Sequence, residues 1–372
     1  MTNISTKRSD SHILHIIDKE KLGGVEVFVS NLISSLSSFR YTYLFLRSSK
    51  ASQKNIIRKH FSKWSFSPFF FLISFLKREK VMIVHTHHRK GFYLMCILSL
   101  FFPQVVFIHH EHGEIIQKNN TFYRMFIILF QKRISQIIAV SDVIQKAVLR
   151  QIPRVSCKVL LNPLFDFQKN EELSQKDYES LQYIQNIKRG TSFLIGYFGR
   201  LESVKQVNIL LKALLLLRFS RDQWKVVLLG EGSQKKFLQR FCEEKGIYGN
   251  VFFLPPVSPS VCQKAYESLD VSVLCSKSEG LSLFLLESMQ HKIPIIASDI
   301  PAPNTYISHR KNGFLFPLGN VEVLSQLLTE LFFDSALRQK IGNAGYAFVR
   351  KTFPNQQEYN VCLEKIYSDF LL

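Results

Sequence analysis

Short β-branched apolar runs alternate with amphipathic helical stretches along nearly the whole chain, and this alternation restricts its fold more than any other feature. The runs fall at residues 13–17, 41–46, 81–85, 105–108, 137–140 and 159–163, then at 193–198, 224–229, 251–254, 270–275 and 293–298. Apolar on consecutive positions and separated by helix-length segments, such runs predict parallel strands covered by helices on both faces. Between the two series, residues 165–189 are polar and charged without a β-rich run and read as a linker. The pattern therefore predicts an α/β chain of two doubly wound sheets. Its 372 residues also exceed the size, roughly 250–300 residues, at which a single core stops growing. A loop at 312–316, helices from Val321 and Ser335, and an amphipathic tail at 356–372 complete the second half.

The net charge of +19 is unevenly placed. Through Arg189 there are 28 Lys and Arg against 13 Asp and Glu, and afterwards 20 against 16. A basic first half attracts anionic partners. The scattered cations, with no zinc finger, aromatic RNA-binding signature or basic zipper, argue against nucleic acid and favour an anionic membrane surface. The exposed-looking aromatic run 64–71 supports that expectation, and a buried helix explains it equally well. The apolar window 66–76 is too short to span a bilayer, and 91–108 is broken by Pro103 and Gln104, so it reads as helix, turn and strand. The polar segment 1–10 does not resemble a cleavable leader. Six cysteines without paired spacing suggest reduced thiols in a cytosolic protein.

Chemistry concentrates at strand ends. The segment 278–287 places Glu279 and Glu287 eight positions apart across a strand-to-helix junction with Gly280 at the turn. The first helical amides, around Ser282 and Leu283, favour an anion such as a phosphate. A phosphate seat between two carboxylates suits a ligand that is hydroxyl-rich at both ends and charged in the middle, as a nucleotide sugar is. Glu-x7-Glu alone is more often a solvated surface pair. Arg200 and Lys205, after the strand 193–198, supply two cations that such a phosphate needs. Gly23-Gly24 between strand and helix allows backbone to approach a ligand closely, and a plain turn explains it equally well.

Histidines crowd two strand ends, in His85-Thr86-His87-His88 and His109-His110-Glu111-His112. Neither a closed Cys/His set nor a helical His-Glu-x-x-His is present, so no metal is expected. His85, His87, His88 and His109 read as hydrogen-bonded strand-end or loop residues.

In this order the pieces resemble glycosyltransferase family 4, the retaining nucleotide-sugar transferases of GT-B architecture. The resemblance rests on Gly23-Gly24-Val25-Glu26, Glu111-His112-Gly113, Ala139-Val140-Ser141, Asn162-Pro163, Gly199-Arg200 with Lys205, Gly230-Glu231-Gly232, Glu279-Gly280 with Glu287, Ala297-Ser298-Asp299 and Asn312-Gly313-Phe314. It implies two Rossmann-like domains facing across a cleft: an acceptor-binding domain at 1–189 with its linker at about 166–189, and a nucleotide-sugar domain at 190–352. A last helix, 353–372, would cross back to the first domain. Arg200 and Lys205 would neutralise the donor diphosphate in place of a metal. Glu287 would bind ribose hydroxyls, Glu279 would lie beside the transferred sugar, and Gly24, Gly230, Gly280, Ser282 and Leu283 would offer backbone to the donor. His112 would contact the sugar near the reacting centre, with His110 as the rival assignment.

The implied activity is metal-independent transfer of a hexose-type sugar to a saccharide or lipid-linked acceptor, in the cytoplasm or on the inner membrane face, for surface polysaccharide or glycolipid synthesis. A nucleotide-sugar epimerase and a non-catalytic nucleotide-sugar or nucleic-acid binder are the alternatives. Two departures stand out. Gln206 follows Lys205 where the family often has glycine, and Pro301-Ala302-Pro303-Asn304 replaces a Gly-Gly segment with its glutamate.

Overall fold

The computed structural model describes residues 11–19, 24–48, 50–62, 65–113, 121–164 and 174–371. It contains two compact units, Met1–Pro163 with Pro354–Leu372, and Leu164–Phe353.

In the first unit, β1 (His12–Lys19), β2 (Arg40–Arg47), β3 (Ile56–Arg58), β4 (Val81–Thr86), β5 (Val106–Glu111), β6 (Gln136–Ala139) and β7 (Cys157–Val159) form one sheet in the order β3-β2-β1-β4-β5-β6-β7. All pairings are parallel. Ile13, Leu14, Ile16 and Ile17 of β1 and Ile83 and Val84 of β4 are completely buried, so adjacent positions point into apolar layers on both faces, which explains the unbroken apolar runs. Ser141 accepts the Ile144 amide at 3.3 Å and starts the helix Asp142–Gln151.

The second unit holds β8 (Phe193–Phe198), β9 (Trp224–Leu229), β10 (Val251–Leu254), β11 (Val271–Leu274), β12 (Ile295–Ser298) and β13 (Phe314–Phe316), in the order β10-β9-β8-β11-β12-β13, again parallel throughout. In each sheet the strand order reverses beside the first strand, between β1 and β4 and between β8 and β11. Crossovers leave in opposite directions there, opening a crevice outside the carboxyl ends of those strands. The candidate residues of each unit lie at these ends.

The helix Gln356–Ser368 belongs to the first unit. A capping box between Asn355 and Glu358 starts it, Tyr359 and Tyr367 are fully buried, and Glu364 accepts the Tyr41 hydroxyl at 2.9 Å.

Three sequence readings need correction. Residues 165–173 lie outside the described residues, but Gln175–Arg189 is a helix of the second unit, capped by Ser174, rather than linker. Leu181, Ile184 and Ile187 bury one narrow stripe of it, too sparse to stand out among its charges. The boundary therefore falls at Pro163–Leu164 instead of at residue 189. Residues 314–316, read as loop, form β13, because Phe314 and Phe316 are both fully buried against the sheet. The three-residue edge strand β3 carried no apolar run long enough to be recognised. No described helix is long and apolar enough to cross a membrane. The window 91–108 divides into the helix Arg89–Leu98 and β5.

Candidate functional site

Two loops at the carboxyl end of the second sheet are locked backbone to backbone. β8 runs into Gly199-Arg200 and a single 3-10 turn, Ser203–Lys205, while β9 runs into Gly230-Glu231-Gly232. The Gly199 amide donates to Leu229 O, the Leu201 amide to Glu231 O and the Gln234 amide to Leu201 O, each at 2.9 Å. A Cβ on Gly230 would lie 2.0 Å from Gly199 O, and one on Gly232 2.3 Å from Leu201 O. The carboxylate of Glu202 adds a clamp, accepting the amide and the hydroxyl of Ser233 at 3.2 and 2.6 Å. These contacts fix the loop that carries both cations. Gln206 has φ +46°, so the departure from glycine falls at a left-handed position, where a side chain is strained.

The loop after β11 joins this pair, its Lys277 amide donating to Val204 O at 2.8 Å. Lys205 Nζ lies 2.6 Å from Glu279 Oε1, with only 17% and 8% of the two side chains exposed. Such a charge-assisted bond holds the ammonium in place. Arg200 is exposed, and its carbonyl accepts the Tyr197 hydroxyl at 2.9 Å. Gly280 is buried at the turn, and Ser282 is the N-cap of the helix Leu283–Gln290, its carbonyl accepting the amides of Leu285 and Leu286. The amides preceding those have no acceptor within the helix. A little over one turn in, Glu287 accepts the hydroxyl of the fully buried Tyr266 at 2.7 Å. Burial pushes its carboxyl up to about 7, against the opposing effect of the Tyr266 hydrogen bond. One sheet end thus gathers Arg200, Lys205, Gly230, Glu279, Gly280, Ser282, Leu283 and Glu287, an arrangement suited to an anion flanked by hydroxyl groups.

Gly24 and His112 belong to the first unit. Gly24 opens the helix Gly24–Ser35, while Gly23 lies outside the described residues, as do Trp64 and Glu114. His112 is half-buried and stacks on His110 with ring centroids 4.3 Å apart, and Phe28 packs against both rings. His87 bridges inward, 3.0 Å from His15 Nδ1 and 3.5 Å from His112 Nε2. His109 is satisfied by Thr86 and Tyr123, both at 2.8 Å, and His88 by the Asp18 amide. The expectation of satisfied histidines fails at His85. Its Nδ1 meets the Tyr367 hydroxyl at 2.6 Å, but among the described residues its buried Nε2 has no partner, and neither ring nitrogen of His110 has one.

Tyr266, Glu202 and the Gly199–Gly230 crossing were not picked out from sequence. The crossing has a readable signal, a glycine directly after each of two neighbouring strands. Tyr266 has none, because it reaches Glu287 from a different helix.

Residues 22–164 match the family described as Glycosyltransferase Family 4, and residues 182–348 match Glycosyl transferases group 1. A poly(ribitol-phosphate) alpha-N-acetylglucosaminyltransferase of Staphylococcus aureus (strain COL) is 26% identical over 48% of this chain and 38% of its own length. With that protein and two further curated relatives, the match spans only 38–53% of their lengths. The capsular polysaccharide biosynthesis glycosyltransferase CapM of Staphylococcus aureus is 21% identical over 81% of this chain and 80% of its own. The solved structure of Anabaena Alr3699/HepE in complex with UDP-glucose shares the fold, with a TM-score of 0.79 over 96% of this chain and 99% of that one at 19% identity.

Proposed function

The chain belongs to glycosyltransferase family 4, with the two Rossmann-like domains of the GT-B fold, and we propose that it moves a hexose-type sugar from a nucleotide-sugar donor to a saccharide or lipid-linked saccharide acceptor with retention of anomeric configuration. The observation that carries this reading is the arrangement at the end of the second sheet: Arg200 and the Lys205–Glu279 pair beside the amides of a helix start, with Glu287 a little over one turn along. Arg200 and Lys205 neutralise the donor diphosphate without a divalent metal. Glu287 accepts hydrogen bonds from the ribose hydroxyls. Glu279 lies beside the transferred sugar and orients Lys205. Gly230, Gly280, Ser282 and Leu283 bring backbone up to the donor, as does Gly24 from the first unit. His112 contacts the sugar, since it is half-buried while His110 is wholly enclosed.

The bond between the anomeric carbon and the diphosphate oxygen breaks, and the acceptor oxygen bonds that carbon on the same face. The departing diphosphate takes the acceptor proton. Charge growing on the leaving group is what Arg200, Lys205 and the helix amides stabilise. A UDP-sugar is the donor class supported by the ligand of the HepE structure.

The acceptor belongs to bacterial surface polysaccharide or glycolipid synthesis, a reading supported by the capsule and poly(ribitol-phosphate) relatives. The protein works in the cytoplasm, peripherally on the inner membrane face. In the basic first unit the helices Ser67–Glu79 and Thr121–Phe130 expose Phe70, Phe122 and Leu129, the turn after the helix Arg89–Leu98 exposes Phe101, and Phe69 links Phe70 to Phe101. An anionic bilayer suits that surface in charge and in apolar character.

Thermal unfolding with a panel of UDP-, GDP- and ADP-sugars tests the reading, because a ligand of the native state at a hundred times its Kd adds about 2.7 kcal/mol. One nucleotide class raises the transition. No shift with any member of the panel would remove the donor assignment.

A further inference from the structure

We infer that His87, His110 and His112 form a binding site for a zinc-class divalent cation in the first unit. One ligand atom of each of the three lies within 4.8 Å of the others. Tetrahedral zinc with three imidazoles needs nitrogens roughly 3.3 Å apart, so binding requires the rings, His110 being stacked on His112 with planes 21° apart, to turn until their in-plane lone pairs converge.

Proximity is not the only sign. A neutral imidazole carries one N–H and one lone pair, and buried groups of this kind are nearly always paired. His110 is fully buried, yet both its nitrogens lack partners among the described residues. A cation answers the lone pair directly.

The surroundings resemble an outer coordination shell. His15 Nδ1 lies 3.0 Å from His87 Nε2, a contact that fixes the orientation of the His87 ring. His15 Nε2 and His85 Nδ1 both meet the Tyr367 hydroxyl, at 3.4 and 2.6 Å. Phe28 walls the outer side against His110 and His112. His112, only half-buried, is the entry point. A second group, His15, His85 and His87, shares His87 with the first, but all three of its members are buried and give a cation no such entry. Three imidazoles and no carboxylate select a borderline cation over magnesium or calcium. His112 offers one nitrogen to the cation and keeps the other for a substrate.

Full-length protein without added histidines, treated with chelator, re-dialysed against zinc and gel-filtered, is measured for bound metal, and a cobalt-loaded sample for the visible bands of tetrahedral coordination. The inference predicts one zinc per chain and the cobalt bands. Both are lost in His112→Ala, whose half-buried position spares the core. In His15→Gln, zinc affinity falls ~10–100-fold. Circular dichroism confirms that each variant is folded. Absence of metal and of cobalt bands from the wild type overturns the inference, as does full zinc retention by folded His112→Ala and His110→Ala. Donor binding to the second unit is read separately by the nucleotide-sugar panel, so failure of one assignment leaves the other intact.

Discussion

Lys205→Met, alone and combined with Glu279→Gln, separates the catalytic from the structural meaning of the best-defined contact in the site. The pair is 2.6 Å apart, and Glu279 is only 8% exposed. Removing the lysine leaves a carboxylate largely out of water with no counter-charge. Breaking a buried pair in this way costs about 3–5 kcal/mol, and the 17% exposure of Lys205 puts this case at the low end, near 3. With a urea slope of about 2 kcal/mol/M, the midpoint of the second unit falls by roughly 1.5 M. Trp224, fully buried in β9, reports that transition by fluorescence once Trp64 is replaced by phenylalanine. Adding Glu279→Gln removes the stranded charge and returns most of the lost stability. Turnover behaves differently. Lys205→Met lowers it at least ~100-fold, the scale of losing one preorganised charge on a leaving group. The double variant stays as inactive. If turnover recovers together with stability in the double variant, Lys205 serves only the fold, and its role at the diphosphate is wrong.

Gly230→Ala places a Cβ 2.0 Å from Gly199 O at φ +148°, so it lowers stability by at least about 2 kcal/mol and, by displacing Arg200, abolishes donor binding. Gly249→Ala, with nothing within 4 Å, leaves both unchanged and serves as the control in the same urea and calorimetric titrations. Glu287, its carboxyl raised to about 7 from 4.5, binds its proton more tightly in the folded state, so its stabilising contribution is complete below pH 4.5 and is lost as pH rises towards 7. Glu287→Gln flattens that part of the stability profile. Tyr266→Phe, which removes the hydrogen bond favouring the carboxylate, moves the same limb to higher pH. On vesicles, the wild type floats with anionic lipid, whereas a variant with Phe70, Phe101 and Leu129 changed to serine stays with the soluble fraction. Equal binding by both would exclude that surface.

Both sheets were legible because parallel strands covered on two faces leave unbroken apolar runs, and β1, β4, β8 and β9 fell where those runs predicted. The helix Gln175–Arg189 was not, since only Leu181, Ile184 and Ile187 of its stripe are apolar and buried. In the site, the cations and carboxylates stood out because they follow strand ends. Whether they meet was invisible. The Lys205–Glu279 bond spans 74 positions and depends on Lys277 docking to Val204, a backbone contact without a sequence signature. The histidines show the converse. Their residue types were plain, but the spacing rules used to judge them apply to ligands on one helix or in one knuckle. His87, His110 and His112 instead come from two adjacent parallel strand ends, so register, not local spacing, brings them together.

The central claim is that fixed protein charges, with no ion at the diphosphate, stabilise the leaving group. Turnover of the preferred nucleotide sugar, measured with and without added magnesium in the wild type and in Arg200→Ala, tests it most directly. The account predicts equal wild-type rates in both buffers and a loss of at least ~100-fold in Arg200→Ala that magnesium does not repair. Near-normal turnover in Arg200→Ala, or a wild-type rate that depends on magnesium, would contradict it.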